Sequence, residues 1–73
     1  MKASLEFDLP DDQDLFTMAS NAHSVYSIIF QLDQYLRGQI KYAPDDELDA
    51  VVDAYQHTRD KLYQLLNEHN ISI

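Results

Sequence analysis

Apolar residues recur with helical spacing along most of the chain, and the longest such stretch covers residues 21–42. The stretch follows the i, i+3, i+4, i+7 pattern of one helical face. Its apolar members are Val25, Ile28, Ile29, Leu32, Tyr35, Leu36 and Ile40. The pattern predicts a helix over about residues 22–41, against which the rest of so short a chain must pack.

A second stripe of helical spacing follows Pro44, a residue that suits the first turn of a helix. Its members are Leu48, Val51, Val52, Tyr55, Leu62, Leu65 and Leu66. We therefore predict a helix over about residues 44–69, ended by Asn70. The short connection before it makes the two helices antiparallel neighbours. Arg59 lies close to the stripe and needs a partner or an exposed tip, while Asp33 and Arg37 are spaced for an i, i+4 pair.

A shorter helix is predicted over about residues 10–20. Pro10 suits its first turn, Asp8 can cap it, and Asp11, Asp12 and Asp14 place negative charge where the helix dipole favours it. Residues 20–24 are rich in capping side chains and predict a break before the next helix. An unbroken helix over residues 10–40 is the alternative.

The first residues alternate between apolar and polar side chains, with Ala3, Leu5, Phe7 and Leu9 on one face. A period of two predicts a strand over about residues 3–9. Such a strand needs a partner for its backbone groups, either residues 70–73 or its own copy in a second subunit. The predicted fold is mainly α: a single small three-helix domain over residues 1–73 with a short N-terminal β-strand.

Size and charge limit the classes of function. The 73 residues contain no cysteine, and 13 acidic against 5 basic side chains give a net charge of −8. This charge argues against direct binding of nucleic acid or of an anionic membrane, and no segment reads as a membrane span or a leader. We expect a cytoplasmic protein. A domain this small buries only about 60% of its unfolded surface, which favours a homodimer, with residues 3–9 as a candidate contact.

Candidate reactive groups do not form a recognisable site. The acidic residues fall at helix starts, without the glycine and alternate spacing of a calcium loop, so we predict no metal and no cofactor. Asp53 could orient His57 as a base, but no nucleophile can be assigned to that pair. A chain this short also rarely holds a ligand pocket of roughly 300 Å³. We predict that the protein is not an enzyme.

Exposed tyrosines and acids are the candidate partner-binding residues, because tyrosine buries much area at little entropic cost. Tyr26, Tyr42 and Tyr63 fall beside the predicted apolar stripes, and an acidic cluster precedes the last stripe. The predicted partner-binding set is Tyr26, Tyr42, Tyr63, Asp45, Asp46, Glu47 and Asp49.

Three segments carry a resemblance to a known group: residues 2–10, residues 33–37 with 40–42, and residues 59–63 leading to 67–73. Together they resemble short acidic proteins encoded by tailed bacteriophages, over almost the whole chain. That group has no firm biochemical activity, and some members carry a lysis-inhibition label. Asn70 stands where the group is expected to have glycine. The resemblance implies a phage accessory protein in the cytoplasm of the infected bacterial host, and it transfers no catalytic residue.

The resulting hypothesis is a non-catalytic phage protein that binds a host protein and inhibits or redirects it. Bacterial defence systems, in the manner of anti-CRISPR or anti-restriction proteins, are candidate targets. One alternative is an acidic DNA mimic, and another is a homodimeric structural or lysis-regulating phage protein.

Overall fold

Three α-helices make up the regular secondary structure of the computed structural model, which describes residues 1–73. They are α1 (Gln13–Ser20), α2 (Ala22–Lys41) and α3 (Asp49–Glu68). The predicted three-helix, mainly α fold is confirmed. Neither α2 nor α3, at 20 residues each, is apolar enough to cross a bilayer, and α1 is shorter still.

The central feature is an antiparallel hairpin of α2 and α3. Asp33 of α2 lies beside Arg59 of α3. Tyr35, later in α2, lies beside Tyr55, which is earlier in α3, so the two helices run in opposite directions. The prediction that these helices are antiparallel is confirmed. Their interface buries Asp33 and Leu36 of α2 and Leu66 of α3, which lie on the facing stripes.

Very little of the chain is removed from solvent. Only three of the 73 residues are buried, because two helices side by side form one layer and each covers a single face of the other. The molecule measures 56 × 26 × 18 Å and has a radius of gyration of 17.6 Å. A compact domain of this length would have a radius of gyration of roughly 11 Å. The single chain is therefore elongated, with most apolar side chains on its surface.

A single residue separates α1 from α2. The amide of Asn21 donates to the carbonyl of Thr17 and the carbonyl of Asn21 accepts from the amide of Val25, each at 3.0 Å. Asn21 itself has φ −91° and ψ 0°, away from ideal helical values. The predicted break is confirmed over the alternative of an unbroken helix, and it is confined to one residue.

The predicted strand over residues 3–9 is wrong for the single chain, since residues 1–8 form no regular secondary structure. Its proposed intrachain partner is engaged elsewhere, because the amide of Ile71 donates to the carbonyl of Leu66 at the end of α3. Without a pairing strand, alternation alone does not produce a ladder. The segment is held instead by Phe7, whose ring meets that of Phe16 on α1 edge to face at a centroid distance of 5.7 Å.

Two predicted helix starts are too early. The carboxylate of Asp12 accepts from the amide of Asp8 at 2.9 Å, so Asp8 does not supply the cap and α1 begins only at Gln13. Pro44 likewise opens a turn, not a helix, since its carbonyl accepts from the amide of Glu47 at 2.9 Å. Leu48 is then extended, with φ −67° and ψ 135°, and α3 begins at Asp49.

The predicted stop at Asn70 is confirmed, and its geometry is a Schellman motif. Asn70 has φ +55°, the left-handed conformation that closes this motif. Its amide donates to the carbonyl of Asn67 at 3.1 Å, and the amide of Ile71 donates to the carbonyl of Leu66 at 2.8 Å. These bonds satisfy carbonyls that the end of α3 would otherwise leave open.

We expect Asn70→Ala to lower the free energy of unfolding by about 1–2 kcal/mol, because a Cβ without a compensating polar group is strained in the left-handed region. Asn70→Gly should leave stability unchanged or slightly raised. Urea denaturation at one fixed protein concentration measures both. Asn67→Ala, three residues earlier within α3, is the matched control and should have little effect. Equal stability of the Asn70→Ala and Asn70→Gly proteins would contradict the assignment.

Candidate protein-interaction surfaces

The connection between α2 and α3 gathers exposed aromatic, aliphatic and acidic side chains in one short segment. We name this the hairpin-turn surface; its residues are Tyr42, Asp45, Asp46, Glu47, Leu48 and Asp49. Tyr42 is 75% exposed and Leu48 is 69% exposed, although both carry large apolar groups. The late start of α3 produces this arrangement, because the acids that were predicted inside the helix lie mostly in the turn before it.

The hairpin-turn surface is strongly negative. Four of its six residues are carboxylates, and none of them forms an ion pair with Arg37 or Lys41. The ammonium group of Lys41 lies instead 5.4 Å from the centroid of the Tyr42 ring, within the range of a cation–π contact. The carboxylates are left free to meet positive charge on another molecule.

The structure does not bring the three predicted tyrosines together. Tyr26 and Tyr42 are separated by 16 residues of sequence, or roughly 24 Å along the helix axis. Tyr63 lies on α3, where the guanidinium of Arg59 is 5.4 Å from its ring centroid. Of these three side chains, Tyr42 alone belongs to the hairpin-turn surface together with the predicted acids.

An interhelical ion pair between Asp33 and Arg59 is the main polar feature that the sequence did not predict. Arg59 Nε donates to Asp33 Oδ1 at 2.8 Å, and the residue Asp33 is only 3% exposed. The predicted pair of Asp33 with Arg37 is wrong, because Asp33 faces α3 while Arg37 is exposed. The missed signal was that Asp33 and Arg59 each occupy a position within an apolar stripe, on helices already expected to face each other.

Electrostatics in this pair favour the charged forms. The hydrogen bond from Arg59 lowers the pKa of the Asp33 carboxyl below its ordinary value. Burial raises this pKa by less, and a hydrogen bond from Tyr63 lowers it further. The same bond raises the pKa of Arg59. The largest cause of each pKa shift is the partner residue across the helix interface. We therefore interpret the pair as a structural contact between α2 and α3.

A second apolar surface runs along α2, beside the face that packs against α3. We name it the α2 seam; its residues are Val25, Ile28, Leu32 and Tyr35. Each is about half exposed or more, and Ile28 reaches 64%. The chain covers this seam only in part, because α3 packs on the adjacent face of α2 that carries Asp33 and Leu36, with Tyr35 of the seam beside Tyr55.

An open groove lies where α1 meets α2. Its volume is about 420 Å³, above the roughly 300 Å³ that a chain this short rarely provides. The lining residues are Thr17, Met18, Asn21, Ala22, Val25, Tyr26, Ile29 and Ile71. Tyr26 is the only ionisable side chain among them, so the groove lacks the converging acids, bases and nucleophiles of a catalytic site. Elsewhere, no three His, Asp or Glu side chains converge in a way that could hold a metal ion.

Comparison of the chain with models of protein families, with curated proteins and with solved structures found no match. The class that the structure defines is an α-helical hairpin extended by a short helix, with two exposed surfaces of mixed or apolar character. The exposed side chains and the charge of these surfaces are therefore the observations that bear on function.

Proposed function

We propose that this protein is a non-catalytic binding protein whose hairpin-turn surface docks on a basic surface of another protein. The observation that carries the proposal is the exposure of Tyr42 and Leu48 beside four carboxylates in one short connection. Large apolar side chains at the centre of a contact supply binding energy when they are desolvated, and complementary charge around them speeds association and excludes wrong partners.

The resemblance to short acidic proteins of tailed bacteriophages supports placing this partner in the infected bacterium. In that setting the protein binds a host protein and inhibits or redirects it, with a bacterial defence complex as the candidate target. A host protein that handles nucleic acid offers the basic surface that the hairpin-turn surface requires.

The distribution of acids gives less support to the alternative of DNA mimicry. One acidic group precedes or begins α1 and the other lies in the hairpin-turn surface, with the 20 residues of α2 between them. These groups are roughly 30 Å apart along the axis, so they do not form one continuous track of charge. A contact centred on Tyr42 uses only the second group.

Affinity capture from infected cells, followed by mass spectrometry, tests the proposal. The parent chain should recover one specific partner, and Tyr42→Ala or the pair Asp45→Lys and Asp46→Lys should reduce its recovery by about tenfold or more. Recovery should also fall as salt is added to the wash, because screening weakens exposed charge pairs.

Two matched controls accompany this experiment. Tyr26→Ala removes an exposed tyrosine outside the hairpin-turn surface, and the pair Asp11→Lys and Asp14→Lys changes the same amount of charge near α1. Both should recover the partner at the parent level. Recovery of no specific partner by the parent chain, or equal losses in the controls, would overturn the proposal.

A further inference from the structure

We propose that a second copy of this chain covers the α2 seam, so that two hairpins pair through antiparallel α2 helices in a homodimer. This inference goes beyond the proposed function because it concerns a different face of the molecule. The predicted homodimer contact through residues 3–9 is a different interface and stays a prediction, since the single chain does not test pairing between two copies.

The spacing of the α2 seam is that of a coiled-coil contact. Val25, Ile28, Leu32 and Tyr35 are separated by three, four and three residues, as alternating a and d positions of a heptad are. Such spacing keeps a narrow line of side chains facing a neighbouring helix over several turns. Because α3 occupies another face of α2, the seam is suited to a further helix from outside the chain.

The lack of charge around the α2 seam favours a second copy of this chain as the partner. Residues 15–32 include no Asp, Glu, Lys or Arg, whereas the chain as a whole has a net charge of −8. Two copies of so acidic a protein repel each other at most surfaces. This stretch is where they can approach without opposing carboxylates, and it offers a charged partner protein nothing to recognise.

The area that the single chain leaves exposed agrees with a dimer of this kind. Its accessible surface is 6414 Å². A folded monomer of 8.5 kDa is expected to expose about 4,650 Å². The excess of roughly 1,750 Å² per chain is spread over the whole elongated molecule, and contact between two copies would remove part of it from solvent.

Side-chain volumes favour the antiparallel orientation. About a two-fold axis, Val25 faces Tyr35 of the second copy, which pairs a small side chain with a large one, and Ile28 faces Leu32, a side chain of equal volume. A parallel pair would instead set Tyr35 against its own copy and Val25 against its own copy.

Measurement of molar mass by analytical ultracentrifugation between about 1 and 100 μM tests the dimer, a range that spans typical affinities. We expect twice the chain mass of 8.5 kDa at the upper concentrations. Ile28→Glu should give the single-chain mass, because it buries a carboxylate against its apolar neighbour. Phe30→Glu is the matched control, since Phe30 is also exposed on α2 but points away from the seam, and it should remain dimeric.

Several results would overturn the inference: a parent protein that stays monomeric at 100 μM, an Ile28→Glu protein that stays dimeric, or a Phe30→Glu protein that dissociates as Ile28→Glu does. If Ile28→Glu unfolds, the parent protein still decides the question. Its thermal midpoint must rise with protein concentration if folding is coupled to dimer formation, and a constant midpoint accompanied by monomer mass would be contrary.

Disulfide formation tests the orientation, because the natural chain contains no cysteine. A mixture of Val25→Cys and Tyr35→Cys chains, distinguished by a tag, should form the mixed disulfide in preference to either homodimeric one. Preference for the two homodimeric disulfides would overturn the antiparallel arrangement.

The outcome is separable from that of the proposed function. Ile28→Glu leaves every residue of the hairpin-turn surface unchanged, so its recovery of a host partner can be measured in the same capture experiment. A dimer without a captured partner, or a captured partner without a dimer, would each remove one proposal and leave the other standing.

Discussion

Arg59→Met is expected to lower the free energy of unfolding by about 3–5 kcal/mol at fixed protein concentration, because it leaves the buried carboxylate of Asp33 without its cation. Asp33→Asn should cost less, about 1.5–3 kcal/mol, the range of a hydrogen bond to a charged group. The guanidinium of Arg59, with 26% of its side chain exposed, can then turn toward water. Circular dichroism melts give the order of the three proteins.

The matched control for Arg59→Met is Arg37→Met, which removes an exposed arginine from α2 and should change stability little. The double variant Asp33→Leu with Arg59→Met should recover most of the loss, since replacing both partners by apolar groups removes the unpaired charge. A double variant as unstable as Arg59→Met alone would show that the ion pair is not the source of the effect.

The ion pair of Asp33 and Arg59 also makes the free energy of unfolding depend on pH. Arg59 lowers the pKa of Asp33 in the folded state, so the contribution of this carboxylate is complete above its unfolded pKa of about 3.9 and is lost as pH falls toward the folded value. The stability difference between the parent protein and Asp33→Asn should therefore be constant near neutrality and shrink below about pH 4–5. A difference that grew on acidification would contradict the assigned direction.

Leu36→Ala and Leu66→Ala form the second large expected effect, at about 2–5 kcal/mol each. These leucines are the only buried apolar residues. A chain of 73 residues has a total stability of roughly 4–11 kcal/mol. Either change should thus leave a protein that is partly unfolded at 37 °C, as measured by far-ultraviolet circular dichroism.

Leu15→Ala on α1 is the control for these two variants, since Leu15 is 56% exposed and makes no comparable interior contact. It should melt close to the parent protein. If Leu36→Ala and Leu15→Ala melted together, the interface of α2 and α3 would not be what holds the hairpin.

Periodicity was sufficient for the parts of the fold that depend on one helix at a time. The stripes around Leu36 and Leu66 predicted α2 and α3, and the short connection predicted their antiparallel order. Local chemistry also predicted the stop at Asn70, because few residues other than glycine and asparagine adopt its left-handed conformation. These features follow from spacing and from single residues.

Features that depend on a contact with another part of the chain could not be predicted from periodicity or from single residues. Alternation over residues 3–9 predicted a strand, but no neighbouring strand in the chain satisfies its backbone. Asp33 was assigned to Arg37 on its own helix, whereas the fold provides Arg59 across the interface. Five of the six residues of the hairpin-turn surface were predicted to bind a partner, but Leu48 was wrongly assigned to the apolar stripe of α3. The grouping was not predicted, because it depends on α3 starting at Asp49 and not at Pro44.

The single-layer hairpin also bears on how this sequence can change over time. Where nearly every side chain faces water, most replacements disturb no interior packing, so descendants of one ancestor can drift far apart while the helices persist. Within the hairpin, resistance to drift should be concentrated at a few positions: Asp33, Leu36, Arg59, Leu66 and Asn70. A distant homologue should keep these few residues at the same spacing, even where the rest of its sequence has diverged.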